Sequence, residues 1–324
     1  MNNISIPFLF PGEHLLSSLA RWFDIQGRND FLMTCRTYFP NINQLNPSVI
    51  WRPIYAELLS HYIDTYGVDK IINEHTLLPF YRYFLSEQDA ANLNEQGYLL
   101  SGGKVQVGMQ THVKSAYHWR WCNECVQADC DQYGTTYWHA CHQIPSIQRC
   151  YKHQTPLISG CKHCGFEYKH FQRHCLPPED DRCLECEHQL LPSNLDLYPD
   201  SYWLDAISLA LYQNPLRLNI EDFRALIRGK LGYKELPRNL SVAQRLDVSA
   251  MQTNFEQSLN DAVFDIYFKR SRGDIFSVGQ KVLNIVTFAY RDARIPPISI
   301  LLMLKSLKLD DDISRLVMDS RDES

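Results

Sequence analysis

The chain has 324 residues, 45% of them hydrophobic, and a formal net charge of −5, enough apolar material for one large domain or two to three smaller ones. That acidity argues against a surface given over to gripping nucleic-acid phosphates, so any such contact has to be local or shared with partners. No apolar run of about eighteen residues occurs, which argues against a membrane span, and Met1 to Phe10 lacks a basic n-region, which argues against secretion.

Apolar spacing predicts helices over 12–25, 30–38, 47–66, 69–84 and 87–97. Leu15, Leu16, Leu19, Ala20 and Phe23 make one face of the first. Asp30 is a plausible cap and Pro40 a stop for the second, and Pro53 belongs to the first turn of the third. Short helices with short connections imply a compact helical array over 1–115, with room for a helix-turn-helix unit. Arg21, Arg28, Arg36 and Arg52 are candidates for a basic face, although scattered arginines are ordinarily solvated surface. Cys35, among apolar positions, reads as a core residue.

The middle of the chain carries Cys122-x-x-Cys125, Cys150-x-x-His153, Cys161-x-x-Cys164 and Cys183-x-x-Cys186. Two residues between soft ligands is the separation at which one tight turn points both at one ion, and four pairs supply ligands for two closed tetrahedral zinc sites. Eleven cysteines without a secretion signal favour metal ligation in a reducing cytosol over disulfides. Sequential pairing joins the first pair to the second and the third to the fourth. A cross-brace, in which the first and third pairs share an ion, uses the same residues. The short link 154–160 favours the sequential form. Closed thiolate-rich shells are structural, and no His-x-Glu precedes a pair as a deaminase would need. Cys130, Cys141 and Cys175, with His139, His142, His163, His170 and His174, are left to packing or surface; His163 is the one most easily mistaken for a ligand.

Pro192 to Asn194 and Tyr198 to Asp200 read as a linker from a tandem zinc-binding module over 116–192 to a helical domain over 200–324. Helices are expected at 201–212, 220–231, 250–270, 278–293 and 298–318. Lys269, Arg270 and Arg272, with Lys281 nearby, form the best basic cluster. The chain contains no Walker loop, no G-x-S-x-G elbow and no H-E-x-x-H, so a non-enzymatic role is expected.

Cys-x-x-Cys is followed by Tyr133, Gly134, Tyr137 and Trp138, then by His142, Gln143 and Pro145, then by Cys150 to His153 and Pro156-Leu157. This order resembles the TniQ/TnsD family, bacterial proteins that choose targets for cut-and-paste transposons. Pro11, Glu13, Ser17, Leu19 and Arg21 match the family's opening, and Glu74 to Tyr81 looks like the TnsD branch; the resemblance covers residues 6 to 190. It implies a helix-turn-helix-like N-terminal domain and tandem zinc fingers in a cytoplasmic protein. It also implies an adaptor role, linking target DNA to the transposon's AAA+ ATPase regulator, TnsC. That link is direct in the TnsD branch; in the CRISPR-linked branch it runs through an RNA-guided Cascade complex, on which the protein sits as a homodimer. An independent zinc-containing transcription regulator is the remaining reading.

Overall fold

The computed structural model describes residues 4–40, 42, 45–48, 50–94, 102–105, 110–171, 175–192, 195, 198–214, 218–234, 241–276 and 281–322. The predicted helical residues 95–97 and 278–280, linker positions 193–194 and His174 lie outside these. The protein is mainly helical, and β-structure among the described residues is confined to isolated bridges.

Helix α1 (Leu15–Ile25) buries the face expected of it. It starts after 12 because Gly12 turns at φ 67° and Glu13 bridges to His139. In α2 (Phe31–Arg36) the Asp30 carboxylate accepts the Met33 N–H at 2.8 Å. Helix α3 (Pro53–Tyr66) begins at Pro53 and not at 47, since proline suits a first turn and holds the preceding Arg52 extended. The expected 69–84 helix is broken into α4 (Val68–His75), α5 (Leu78–Tyr81) and a 3₁₀ turn (Arg82–Phe84); the Thr76 hydroxyl takes the Leu78 N–H at the break. Helices α6 (Glu87–Asn94) and α7 (Asn123–Tyr133) follow.

In the C-terminal part, α8 (Ser201–Gln213) and α9 (Ile220–Leu231) match the pattern. The expected 250–270 helix is two, α10 (Val242–Ser258) and α11 (Asp261–Tyr267), because Asn260 caps a new start on the Val263 N–H. After α12 (Arg272–Phe276), the expected 278–293 helix is confined among the described residues to α13 (Ile285–Tyr290), which Asn284 caps by accepting the Thr287 N–H, and the expected 298–318 helix divides into α14 (Pro297–Ser306) and α15 (Asp310–Asp322) at Lys308 with φ 57°. Buried from Pro297 through Leu304, α14 packs between α10 and α15 as a helix apolar on all sides must.

One cluster of buried residues runs from Leu9 to Val317. Helix α8 packs on α5, and Phe84 stacks on Phe223 at 5.2 Å, so the C-terminal helices fold back onto the N-terminal ones. The middle segment joins the same cluster: Trp119 donates its indole N–H to Leu45 O at 2.9 Å and stacks on Phe171, which also meets Phe31.

Candidate metal centres

All eight predicted ligand residues come together, in two sequential groups: Cys122, Cys125, Cys150 and His153, and Cys161, Cys164, Cys183 and Cys186. In the first, His153 Nδ1 lies 3.4 Å from Cys122 Sγ, 3.4 Å from Cys125 Sγ and 3.6 Å from Cys150 Sγ, and Cys125 and Cys150 are 3.6 Å apart. In the second, Cys161–Cys186 and Cys164–Cys183 measure 3.6 and 3.7 Å. A disulfide would need about 2.05 Å. A zinc tetrahedron with Zn–S of about 2.3 Å and Zn–N of about 2.0 Å has S···S edges of about 3.8 Å and S···N edges of about 3.6 Å. The donors therefore fit a zinc-sized ion in both groups.

Three of the four pairs are built by one backbone device. The residue after the second ligand is left-handed (Gln154 at φ 60°, Gly165 at 73°, Glu187 at 61°), and its N–H donates to the carbonyl of the first ligand. The first ligand's own N–H goes to the carbonyl five residues on: Cys150 to Thr155, Cys161 to Phe166, Cys183 to His188. Each turn thus aims two side chains, and the free N–H groups inside it, at one point. Although burial opposes it, the backbone N–H groups of Cys164 and His163 bring the Cys161 thiol down to about 7, which favours the thiolate that a metal needs. The fourth pair is different: Cys122 is the N-cap residue of α7, and Cys125 lies in its first turn. Thr155, not singled out in the sequence, places its hydroxyl 3.2 Å from Cys122 Sγ.

Glycine is required where the second group meets its hairpin. A Cβ on Gly160 would lie 2.5 Å from Phe166 O, while one on Gly165 would meet open space. Gly160→Ala is expected to cost about 1–3 kcal/mol by prising the turn open, and Gly165→Ala about 1–2 kcal/mol from its left-handed backbone alone. Denaturant unfolding of zinc-loaded protein measures both, and a Gly160→Ala protein as stable as the parent would contradict the close approach.

The other cysteines and histidines divide as packing predicts. Burial pushes the thiols of Cys35, Cys141 and Cys175 up to about 12. His139 pairs with Asp129 at 2.7 Å, and burial drives His142 well below its ordinary range, so it is neutral. His163 is exposed, stacks on His188, and approaches Cys186 in a third grouping that borrows a ligand of the second.

The residues that carry the family resemblance tie the chain's beginning to this region. Glu13 and Arg21 form a buried two-pronged ion pair, with Nε–Oε1 and Nη2–Oε2 both at 2.8 Å, under the Phe10 ring. Arg21 is therefore not part of a basic surface. Trp138 N–H donates to Ser17 Oγ, His14 N–H to Trp138 O, and the Tyr137 hydroxyl to Pro11 O; Tyr133 stacks on Phe10 at 4.3 Å. Gly134 ends α7 in the left-handed conformation. Gln143 clamps Arg120 N–H and O and reaches His139 O. His75 Nδ1, from the Glu74 to Tyr81 stretch, bonds Glu13 O at 2.7 Å. On the other side Arg149, next to Cys150, pairs with Asp205 of α8 at 3.0 Å.

Residues 6–157 match the TniQ family. The chain is similar to the transposon Tn7 transposition protein TnsD of Escherichia coli, with 32% identity over 98 residues. That stretch is 29% of this chain and 19% of the relative's length. The family's signature residues thus form the seam between α1 and the cysteine-rich region, and residues 6–157 of the chain are a TniQ domain.

Proposed function

We propose that the protein selects targets for a Tn7-type transposon, as an adaptor between target DNA and the AAA+ regulator TnsC. Each cysteine-rich group holds one structural zinc, with Cys122, Cys125, Cys150 and His153 around the first and Cys161, Cys164, Cys183 and Cys186 around the second. The ion supplies rigidity: it fixes the pose of 116–192 against the helices on either side, so that a DNA-facing and a regulator-facing surface keep a set geometry. Helices α3 and α4, which meet at Gly67, are the pair we assign to the helix-turn-helix character implied by the resemblance.

The observation that carries this reading is a TniQ domain that contains the first donor set and is followed directly by the second: four protein donors converge in each group, which leaves no position for a substrate. Similarity to TnsD favours the direct form, in which the chain itself reads a fixed attachment site; docking as a homodimer on an RNA-guided Cascade complex is the indirect form. Binding to labelled DNA from the element's insertion site, against scrambled DNA over a salt series, separates them. Specific binding supports the direct form. Retention of TnsC only when Cascade is added supports the indirect one, and neither outcome with zinc-loaded protein refutes the adaptor role.

A further inference from the structure

A second polar site lies away from both cysteine groups. The segment 114–120, the 159–162 edge of the third ligand pair and helix α11 enclose a cavity of about 220 Å³. At its base is Arg120, 2% exposed. Its Nη1 and Nη2 donate to the carbonyls of Ile147 and Ile144, while its Nε–H has no partner. Among the described residues no carboxylate stands within ion-pair distance of it. Like any arginine, it carries its charge at neutral pH. A buried charge with one donor unused, and with the Asp205 carboxylate acting on it only from beyond ion-pair distance, is costly, and an anion in the cavity would offset that cost.

The rest of the lining supplies what such an anion would meet. Lys114 and Lys162 are exposed at the rim, and the hydroxyls of Ser115 and Ser159 line the wall. Asp265 also lines the cavity; its backbone carbonyl takes the Lys114 ammonium at 2.8 Å, which positions that lysine. Beyond the mouth lies Lys269, stacked on Tyr117 at 3.7 Å, while Lys169 is paired with Glu167 and adds little net charge. Three cations and two hydroxyls around one space match an anion with several acceptor oxygens and more than one negative charge. We propose that this cavity is an anion site that binds a phosphate group, either as a free phosphate or as one phosphate of a nucleic-acid backbone. The site stands independently of target selection, since it needs neither an attachment sequence nor a transposition partner.

The test is calorimetric titration of zinc-loaded protein with inorganic phosphate and with pyrophosphate, then with a short duplex of arbitrary sequence over a salt series. The variants are Lys114→Ala with Lys162→Ala, and Lys230→Ala as a control on a distant exposed lysine. Both rim lysines are solvent-exposed, so zinc content and melting temperature are expected to stay at the parent's values. The expected result is that the parent binds the free anions and that the double variant binds them at least tenfold more weakly, with the control unchanged. If the free anions fail but the duplex binds, and the double variant lowers the salt slope by about two, the source is a nucleic-acid backbone. A parent that binds none of the three probes, or a double variant that binds them as the parent does, overturns the site. Either result leaves specific recognition of an attachment site, or docking on Cascade, open to its own assay.

Discussion

Cys150→Ser is expected to abolish folding of the region around the first cysteine group, with zinc content falling from two ions per chain to at most one. Cys150 is 0% exposed and stands between Cys125 and His153, so no solvent-side ligand can replace its thiolate. A structural zinc contributes on the order of 10 kcal/mol at neutral pH, comparable to the whole net stability of about 5–15 kcal/mol of a typical domain. The damage should spread, because Cys150 lies beside Arg149, which holds Asp205 of α8. Metal quantification, circular dichroism and limited proteolysis together read the outcome. A soluble variant with parental helicity, parental melting and one missing zinc would show that the ion is dispensable for the fold. Cys161→Ser, in the more exposed second group, should be the milder of the two.

Breaking the Glu13–Arg21 pair is expected to cost about 3–5 kcal/mol from either side. Both side chains are at or below 5% exposure, so removing one leaves the other charge stranded in the core. For a chain of this size that is a fall in Tm of roughly 10 °C. The paired replacement Glu13→Leu with Arg21→Met removes both charges and should cost less than either single truncation. Recovery will be partial, since Phe10 N–H loses its acceptor on Glu13 and Phe8 O its donor on Arg21. Additive losses in the double variant would mean that the two side chains are not coupled.

The convergence of the eight donors was legible in the sequence because its geometry is local. A two-residue spacer closes one turn whatever surrounds it, and the link 154–160 was short enough to suggest the sequential pairing that the structure has. The helices of the N-terminal third were also legible in kind, with Pro53 marking a start that apolar spacing placed too early. Three C-terminal helices were overcalled because periodicity continues through Asn260, Asn284 and Lys308; two caps and a left-handed residue break the backbone without disturbing the hydrophobic pattern. The signature residues could be named but not explained from sequence. Glu13 and Arg21 stand eight positions apart, yet the meaning of Ser17 and Trp138 appears only when the fold brings these residues, 121 positions apart, within 3.0 Å. Nor could spacing alone show that Arg120 would be buried without a counterion, since that depends on three segments closing over it.

Trp138 lies 5.4 Å from Trp119 and 5.9 Å from Trp121, all three nearly inaccessible, and Trp121 immediately precedes Cys122. Ring-to-ring spacing of this kind couples the excited states of the three indoles, and their emission depends on staying dry. The cluster is therefore a built-in fluorophore beside the first cysteine group, and its colour and intensity are expected to change when an ion bound there is chelated or restored, a readout that needs no label.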